Sequence, residues 1–259
     1  MTKLMKLAAW LRNPQYRILK VGTLGLLTLA FLYLAYRAAS YWRYLNDPNS
    51  QSFVQWATGD AAERESLVTV QRDACPGAPF ILPADGFIGL LYEDPRGPYS
   101  LLNPHQGIDI FSNSEPGVTA VYAAYDGYVT REESWRSSLI MRVPEDPLHP
   151  ENSIWLYYTH MADRAGNDFI EEAFPPGTKE MFVPQGTLLG YTGDYNGTSP
   201  RDVWVHLHFS IVKDDGNGRY TNELEFTNTL DPSPYLGMAL NYNCESAAAG
   251  CTPNPLCDS

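Results

Sequence analysis

Four of the five histidines stand beside apolar runs in strand-like or turn-like segments. The most regular segment is "VWVHLHFSIV", residues 203–212, in which apolar residues occupy every second position. Successive side chains of a strand point to opposite faces, so His206 and His208 share one face and the apolar set lines the other. His105 lies in "NPHQGIDIF" and His160 in "LYYTHM". A buried imidazole must satisfy two ring nitrogens, so several of them in apolar surroundings indicate chemistry.

Zinc chemistry accounts for these residue types. A catalytic zinc site uses three protein ligands, commonly histidine nitrogen or carboxylate oxygen at about 2.0–2.2 Å, and keeps a fourth position for water. His105 and Asp109 are four residues apart, and a turn that leads into a strand can bring both to one metal. One histidine of the H-x-H pair completes a His₂Asp set, and the spacing leaves open which one. The other histidine and His160 then suit proton transfer and oxyanion stabilisation.

Each feature by itself is weak. A single strand histidine is more often a satisfied core or surface residue than a ligand, and H-x-x-x-D recurs by chance. His149 lies between two prolines in "DPLHPEN", which is typical of a surface loop, and we assign it no role. The joint occurrence of the other motifs is what favours a metal site.

The motifs together resemble a known family. "HQGIDI", "YYTHM" and "HLHFSI" occur in this order, with "VPQGTLLGYTG" between the last two, and they resemble the lysostaphin-type zinc endopeptidases, the twenty-third metallopeptidase family. The likeness covers about residues 76–240. It implies an all-β fold, an antiparallel two-sheet domain with a groove, known as the duplicated hybrid motif. Members of this family mostly hydrolyse peptide cross-links of bacterial peptidoglycan.

The resemblance also assigns roles to individual residues. It implies that Zn²⁺ is bound by three side chains, His105, Asp109 and His208. His206 and His160 would act on the water and on the oxyanion. Tyr99, six residues before His105, matches a tyrosine that some members use as an additional oxyanion donor.

Two loops depart from the family pattern. Members usually read "TGxSTGPHLHF" before the last motif, whereas this chain reads "TGDYNGTSPRDVWVHLHF", with Trp204 in place of a small residue. A second insertion, "PEDPLHPENS", precedes "IWLYYTH". We expect both loops to border the groove, and so to affect the choice of substrate more than the chemistry.

The elements that must position these residues are short strands. Residues 75–240 contain runs rich in Val, Ile, Tyr and Thr that are separated by Gly, Pro, Asp and Asn, which predicts an all-β domain; the resemblance implies that this domain is the zinc metallopeptidase. Asp126-Gly127 is a hairpin-turn signal. Residues 40–74 lack a sustained period and are interpreted as a stalk, with a short helix around residues 61–67. Residues 241–259 form a Cys-rich tail that is too short for a domain.

A membrane span is predicted near the N-terminus. No charge occurs from Val21 to Tyr36, and snorkelling of Lys20 and Arg37 extends the apolar helix to residues 18–39, close to the about 20 residues that a bilayer requires. Five basic residues precede Val21, so residues 1–17 are expected in the cytoplasm and the remainder outside. The alternatives are a cleaved signal peptide, since "AAS" at 38–40 resembles a cleavage site, and a buried core helix. Cleavage would make the domain secreted.

The cysteines agree with export. All four follow the predicted span, their number is even, and they lack the paired C-x-x-C spacing of a zinc ribbon. We expect two disulfides, at least one of which ties the start of the domain to its tail. Free buried thiols are the alternative. The residues concerned are Cys75, Cys244, Cys251 and Cys257.

Charge restricts the partners. Seven of the 18 Lys and Arg residues precede position 45, and all 30 acidic residues follow it, so the exported part carries a net charge of −19. Long-range repulsion then opposes nucleic-acid binding, and the substrate must be held by contacts in the groove. The sequence predicts a membrane-anchored zinc metalloendopeptidase for peptidoglycan peptides, of undetermined oligomeric state. The alternatives are a catalytically silent module that regulates wall hydrolases and a purely structural zinc domain.

The predicted topology can be tested with reporter fusions. A reporter joined after residue 45 should be active only outside the cytoplasm, because the basic flank precedes the apolar segment. A fusion to residue 15 provides the matched cytoplasmic control. Cytoplasmic activity of the first fusion would contradict the predicted orientation.

Overall fold

The computed structural model describes residues 17–46, 48–70, 77–96, 98–197 and 202–243. The chain divides into two compact units, Met1–Val54 and Gln55–Ser259. All four cysteines lie outside the described residues, so the two predicted disulfides stay a prediction. Residues 1–16 of the predicted cytoplasmic segment and the tail beyond residue 243 also lie outside the described residues.

The first unit contains a long apolar helix, α1 (Arg17–Asn46). Its segment Val21–Ala39 is, within the described residues, the one stretch long and apolar enough to cross a membrane. None of that stretch is buried inside the protein, and its large apolar side chains, such as Leu26 at 71% exposure, face outward. A soluble core helix would bury such residues. The helix therefore has the length and composition of a span or of a signal sequence.

The second unit begins earlier than the sequence indicates. Helix α2 (Pro48–Thr58) carries Trp56, which is buried and stacks on Phe87 with ring centroids 5.3 Å apart. Helix α3 (Ala61–Glu65) follows, and the Asp60 side chain caps it. Residue 69 then pairs with Gly86. Residues 55–70, predicted as part of a stalk, thus pack on the β-domain, because an indole gains more from this apolar contact than from water.

Strands dominate the second unit, as predicted. Eight of them form one antiparallel sheet, in the order β1-β2-β9-β6-β5-β4-β7 with β10 also pairing β9. The bounds are β1 (Phe87–Leu90), β2 (Ile108–Phe111), β3 (Ala120–Tyr122), β4 (Gly127–Thr130), β5 (Leu139–Val143), β6 (Ile154–Thr159), β7 (Met181–Val183), β8 (Leu188–Tyr191), β9 (His206–Lys213) and β10 (Thr229–Leu230). A 3₁₀ turn (Phe226–Asn228) precedes β10, and a short helix, α4 (Ser233–Leu236), follows it.

The predicted second sheet is present and small. It consists of only two strands, β3 and β8. Val121 of β3 and Leu189 of β8 are completely buried and belong to the same hydrophobic core as the large sheet. The antiparallel all-β class is therefore confirmed, and the small sheet covers one part of the core.

Side-chain alternation separates the core from the functional face. On β9, Leu207, Phe209 and Ile211 enter the main core, whereas the residues between them point to the other face of the sheet. On β6, Leu156 and Tyr158 enter the same core. All of these side chains are completely buried. The core thus fixes the strand register, and the register fixes which residues line the opposite face.

Replacement of Trp56 tests whether residues 55–70 belong to the folded domain. Trp56→Ala should lower the free energy of unfolding of the full-length protein by about 3–5 kcal/mol, the usual cost of emptying a buried indole site. Chemical denaturation in detergent, followed by fluorescence, measures this change. Val54→Ala is the control on the same helix, since Val54 is 50% exposed and should change stability by at most about 0.5 kcal/mol. Equal effects of the two variants would contradict the packing of this segment on the sheet.

Candidate metal centre and active site

Two of the predicted ligands are direct neighbours across a pair of strands. In the β2–β9 ladder, Asp109 is paired with His208. Directly opposed side chains on one face have Cβ atoms about 4.5–5.5 Å apart, which suits two ligands of one ion. The Asp109 Oδ1 atom lies 2.8 Å from His208 Nδ1. Both residues are buried.

The third predicted ligand comes from the turn before β2. Backbone hydrogen bonds with Glu93 and Asp94 hold His105, which is completely buried. Its Nε2 atom lies 3.0 Å from His208 Nδ1 and 3.2 Å from Asp109 Oδ1. Within the described residues, His105, Asp109 and His208 form the group whose ligand atoms converge closely enough to hold a metal ion.

The geometry of this group fits zinc. Two tetrahedral ligands at about 2.0–2.2 Å from zinc are about 3.3–3.6 Å apart, and the three ligand atoms here are 2.8–3.2 Å apart. An outward shift of a few tenths of an ångström would accommodate the ion. Two imidazoles and one carboxylate are also the donor set of a catalytic zinc site that keeps one position open. These residues would hold the ion.

Hydrogen bonds set the ligand atoms. The Nδ1–H group of His105 donates to the Leu91 carbonyl at 3.0 Å, so Nε2 carries the lone pair in the neutral ring. His208 Nε2 lies 2.8 Å from Ser210 Oγ, and donation from Nε2–H to this hydroxyl frees Nδ1 to be a ligand.

Burial by itself would raise the pKa of Asp109, but His105 and His206 hold that pKa well below its usual range. Burial lowers the pKa of His208. The carboxylate and the neutral imidazole are the ligand forms.

A glycine permits the close approach of the strands at this point. A Cβ atom on Gly107 would lie 2.3 Å from the Phe209 carbonyl oxygen and 2.4 Å from Ser210 Oγ. Any larger residue at position 107 would push β2 away from β9 and separate Asp109 from His208.

His206 lies beside the ligand cluster without being part of it. Its Nδ1–H group donates to the Trp204 carbonyl at 2.7 Å, which leaves a lone pair on Nε2. That Nε2 atom lies 3.9 Å from Asp109 Oδ2. The ring stacks on Phe111, with centroids 5.2 Å apart, so it has little freedom to turn. The arrangement presents a proton acceptor next to the metal site.

His160 reaches the same place through an unusual backbone conformation. It directly follows β6 and has φ = 73°, in the left-handed region that non-glycine residues rarely adopt. Thr159 pairs with His208 and shares its face, so a regular strand would point the next side chain into the core. The positive φ instead brings the His160 ring to 4.3 Å from that of His206. Strain of this kind is typical of functional positions.

The protonation of His160 is also constrained. Its Nδ1–H group donates to the Tyr195 carbonyl at 2.6 Å, so the neutral ring carries its lone pair on Nε2. Burial, followed by the neighbouring His206, lowers the pKa of His160 to about 3. The ring is therefore neutral at pH 7 and donates from Nε2 only after it gains a proton.

Tyr99 lies at the edge of the site. Its ring packs on that of His105 with centroids 4.4 Å apart, and burial raises the pKa of its hydroxyl, so the phenol stays protonated. His149, to which no role is assigned, is exposed in its loop. The insertion that contains it precedes β6, whereas His160 follows the last residue of that strand. Six strand residues span about 20 Å, so this loop lies away from His160, and its place at the border of the groove stays a prediction.

Several contributors were not found from the sequence. The carbonyls of Leu91, Tyr195 and Trp204 orient three imidazoles, and backbone groups give no signal of this kind in a sequence. Ser210 could have been found, because it lies two residues after His208 on one strand and must share its face.

Comparison with known proteins adds likenesses at the level of solved structures. No family model and no curated protein matches the chain. Lysostaphin from Staphylococcus simulans is 21% identical over 61% of this chain and 53% of its own, with a TM-score of 0.34. The catalytic domain of the prophage-encoded M23 protein EnpA from Enterococcus faecalis is 23% identical over 57% of this chain and 91% of its own, with a TM-score of 0.33.

A zinc-containing peptidase from Vibrio cholerae is 20% identical over 60% of this chain and 40% of its own, with a TM-score of 0.31. The chain thus spans about half of the lysostaphin chain that it matches.

His208 belongs to the candidate ligand group and His206 does not, so their alanine variants should differ in metal content. His208→Ala should lose bound zinc, because it removes one of three ligands, whereas His206→Ala should keep near-stoichiometric zinc. Elemental analysis of the purified full-length variants measures this directly. A filled site in His208→Ala together with an empty one in His206→Ala would reverse the assignment.

Proposed function

We propose that this chain is a membrane-anchored, extracytoplasmic zinc metalloendopeptidase that hydrolyses peptide cross-links of bacterial peptidoglycan. The observation that carries the proposal is the convergence of His105, Asp109 and His208, with ligand atoms 2.8–3.2 Å apart, beside two further imidazoles whose Nδ1–H groups donate to backbone carbonyls. A purely structural zinc site would be closed by four protein ligands. Three candidate ligands converge among the described residues, which supports a site with an open position, and His206 and His160 are the proposed acid–base groups.

Zinc bound by these three side chains would supply a Lewis acid and a water molecule whose pKa is lowered to about 7. His206 is the general base of the proposed mechanism. Its Nε2 lone pair, fixed by the Nδ1–H bond to the Trp204 carbonyl, can accept the proton of the attacking water. Stacking on Phe111 holds the ring in place during this transfer.

His160 stabilises the oxyanion in the same scheme. The two rings are in contact, with centroids 4.3 Å apart, so a proton received by His206 lies near the His160 ring. His160 donates a hydrogen bond to developing negative charge only when Nε2 carries a proton, because Nδ1–H is already committed to the Tyr195 carbonyl. Its role therefore depends on proton transfer within the histidine pair. The neutral Tyr99 hydroxyl is a second candidate donor at the His105 side of the site.

The surroundings favour a peptide substrate held by an open groove. The half-buried Tyr157 ring lies 6.2 Å from that of His208, and the exposed Trp204 ring packs against Phe111, which stacks on His206. An extended peptide can lie across such a surface and present one carbonyl to the zinc site. A cell-wall substrate agrees with the apolar N-terminal helix and with an exported acidic domain.

The proposed activity can be tested on purified cell-wall sacculi. The full-length protein should release peptide fragments, a chelator should abolish release, and added zinc should restore it. His206→Ala should lower the rate by about 10²–10⁴-fold with zinc still bound, the usual contribution of a general base. Mass spectrometry of the products identifies the bond that is cut. Binding to sacculi without cleavage at full zinc occupancy would instead support a catalytically silent module.

A further inference from the structure

A group of polar and aromatic side chains lies next to the zinc site and is not used by the proposed mechanism. Tyr157 of β6 is paired with Ser210 of β9, which is two residues along the ladder from His208 and on the same face of the sheet. Its ring meets the His208 ring edge to face, with centroids 6.2 Å apart. Tyr220, from the loop after β9, packs beside Tyr157 with centroids 6.3 Å apart. Trp135 packs edge to face on Tyr157, with centroids 6.2 Å apart, and Trp155 packs edge to face on Tyr220, with centroids 6.0 Å apart.

A carboxylate completes this group. The Tyr220 hydroxyl donates to Glu223 Oε2 at 2.5 Å. Burial, and then the charge of Glu223, raise the pKa of Tyr220, so this hydroxyl remains a neutral donor. Glu223 therefore lies at the Tyr220 hydroxyl, and the second phenol, Tyr157, packs beside the Tyr220 ring.

Within the described part of the chain, no ion pair joins Glu223 to a cation. The arginine ion pairs there go to other acids: Arg96 to Asp94, Arg131 to Asp168, Arg142 to Glu180, and Arg164 to Asp194 and Asp202. Lys213 donates to the Thr227 carbonyl. A half-buried carboxylate is costly without a partner, and one neutral hydroxyl compensates only part of this cost.

The loop holds this carboxylate at the border of the metal site. The Gln106 side chain, directly after the ligand His105, donates to the Leu224 carbonyl at 3.4 Å. Thr221 Oγ1 donates to the Lys213 carbonyl at 2.7 Å, and the Asn222 carbonyl accepts from Asn228 Nδ2 at 2.9 Å. The loop is therefore tied to the turn of one zinc ligand and to the end of β9.

We propose that Tyr157, Tyr220 and Glu223 form a pocket for an ammonium group of the substrate, about one side chain away from the bond that is cut. The faces of tyrosine rings attract a cation within about 6 Å, and a carboxylate at the end of the pocket supplies the opposite charge. The inference deepens the proposed function: the peptide substrate carries a free amine close to the scissile bond. Both an α-ammonium group and a side-chain ammonium group have this chemistry.

Chemically modified sacculi test the pocket without any variant. Free amines are blocked by acetic anhydride, which removes their charge, or converted by reductive dimethylation, which keeps it. The full-length protein should cleave untreated and dimethylated sacculi about 10–100-fold faster than acetylated ones, in line with a charge-assisted contact. Acetylation near pH 7 modifies mainly α-amines of pKa about 8, whereas exhaustive acetylation above pH 10 also modifies side-chain amines of pKa about 10.4. The treatment that first slows cleavage identifies the amine.

Two variants then assign the effect to Glu223. Glu223→Gln keeps a hydrogen-bond acceptor and removes the charge, so it should cleave all three kinds of sacculi at the same low rate with zinc content unchanged. Glu225→Gln is the control, because it makes the same charge change on an exposed residue of the same loop and should keep the wild-type preference. If Glu223→Gln fails to fold, Tyr220→Phe, which removes the hydroxyl and keeps the ring, should reduce the preference in its place.

The outcomes separate this inference from the proposed function. Equal cleavage of acetylated and untreated sacculi by the wild-type protein overturns the pocket and leaves the peptidase intact. A preference that survives in Glu223→Gln overturns the assignment to this residue. No zinc-dependent cleavage of any sacculi overturns the proposed function itself.

Discussion

The pairing of Asp109 with His208 across β2 and β9 is the constraint on which the site depends. Both side chains belong to short strands whose alternate residues are completely buried in the main core. A slip of one residue in this register would exchange the two faces, placing Leu207 in the groove and the imidazoles in the core. Such a slip is costly, because it would expose apolar side chains and bury polar ones. The hydrophobic core therefore specifies the metal site indirectly, through the register.

Around this pair, backbone carbonyls orient the imidazole rings and fix their tautomers. Leu91, Trp204 and Tyr195 each accept a hydrogen bond from an Nδ1–H group, of His105, His206 and His160 respectively. Each bond fixes one tautomer and aims the Nε2 lone pair at the site. For His105 that lone pair suits metal binding, whereas for the other two it suits proton transfer. The division of roles that we propose follows this difference.

The face that carries the metal site continues into the aromatic pocket. Pairing of β6 with β9 places Tyr157 opposite Ser210, two residues beyond His208 on the same face. The loop after β9 brings Tyr220 and Glu223 to this position. One ladder therefore positions both the reactive centre and the side chains that we propose to select the substrate. Changes in this loop can alter specificity while the register of the sheet, and with it the metal site, is preserved.

The sequence by itself determined the strand pattern, the shared face of His206 and His208, and the polar set from which a zinc site could be built. These features follow from local periodicity, because alternation along one strand decides which side chains face together. Family resemblance, and not spacing, selected His208 over His206 as the ligand. The boundary at residue 75 was placed too late, because the burial of Trp56 against Phe87 depends on a contact between distant segments.

Only the tertiary structure decided how the separate segments meet. It brought His105 and Asp109 to His208, reversed the direction of His160 through a positive φ, and placed Glu223 beside Tyr220 next to the site. The carbonyl acceptors that fix the imidazoles are present at every residue of every chain, so no sequence pattern distinguishes them. Their selection depends on strand register and loop path, which arise from the packing of the whole core.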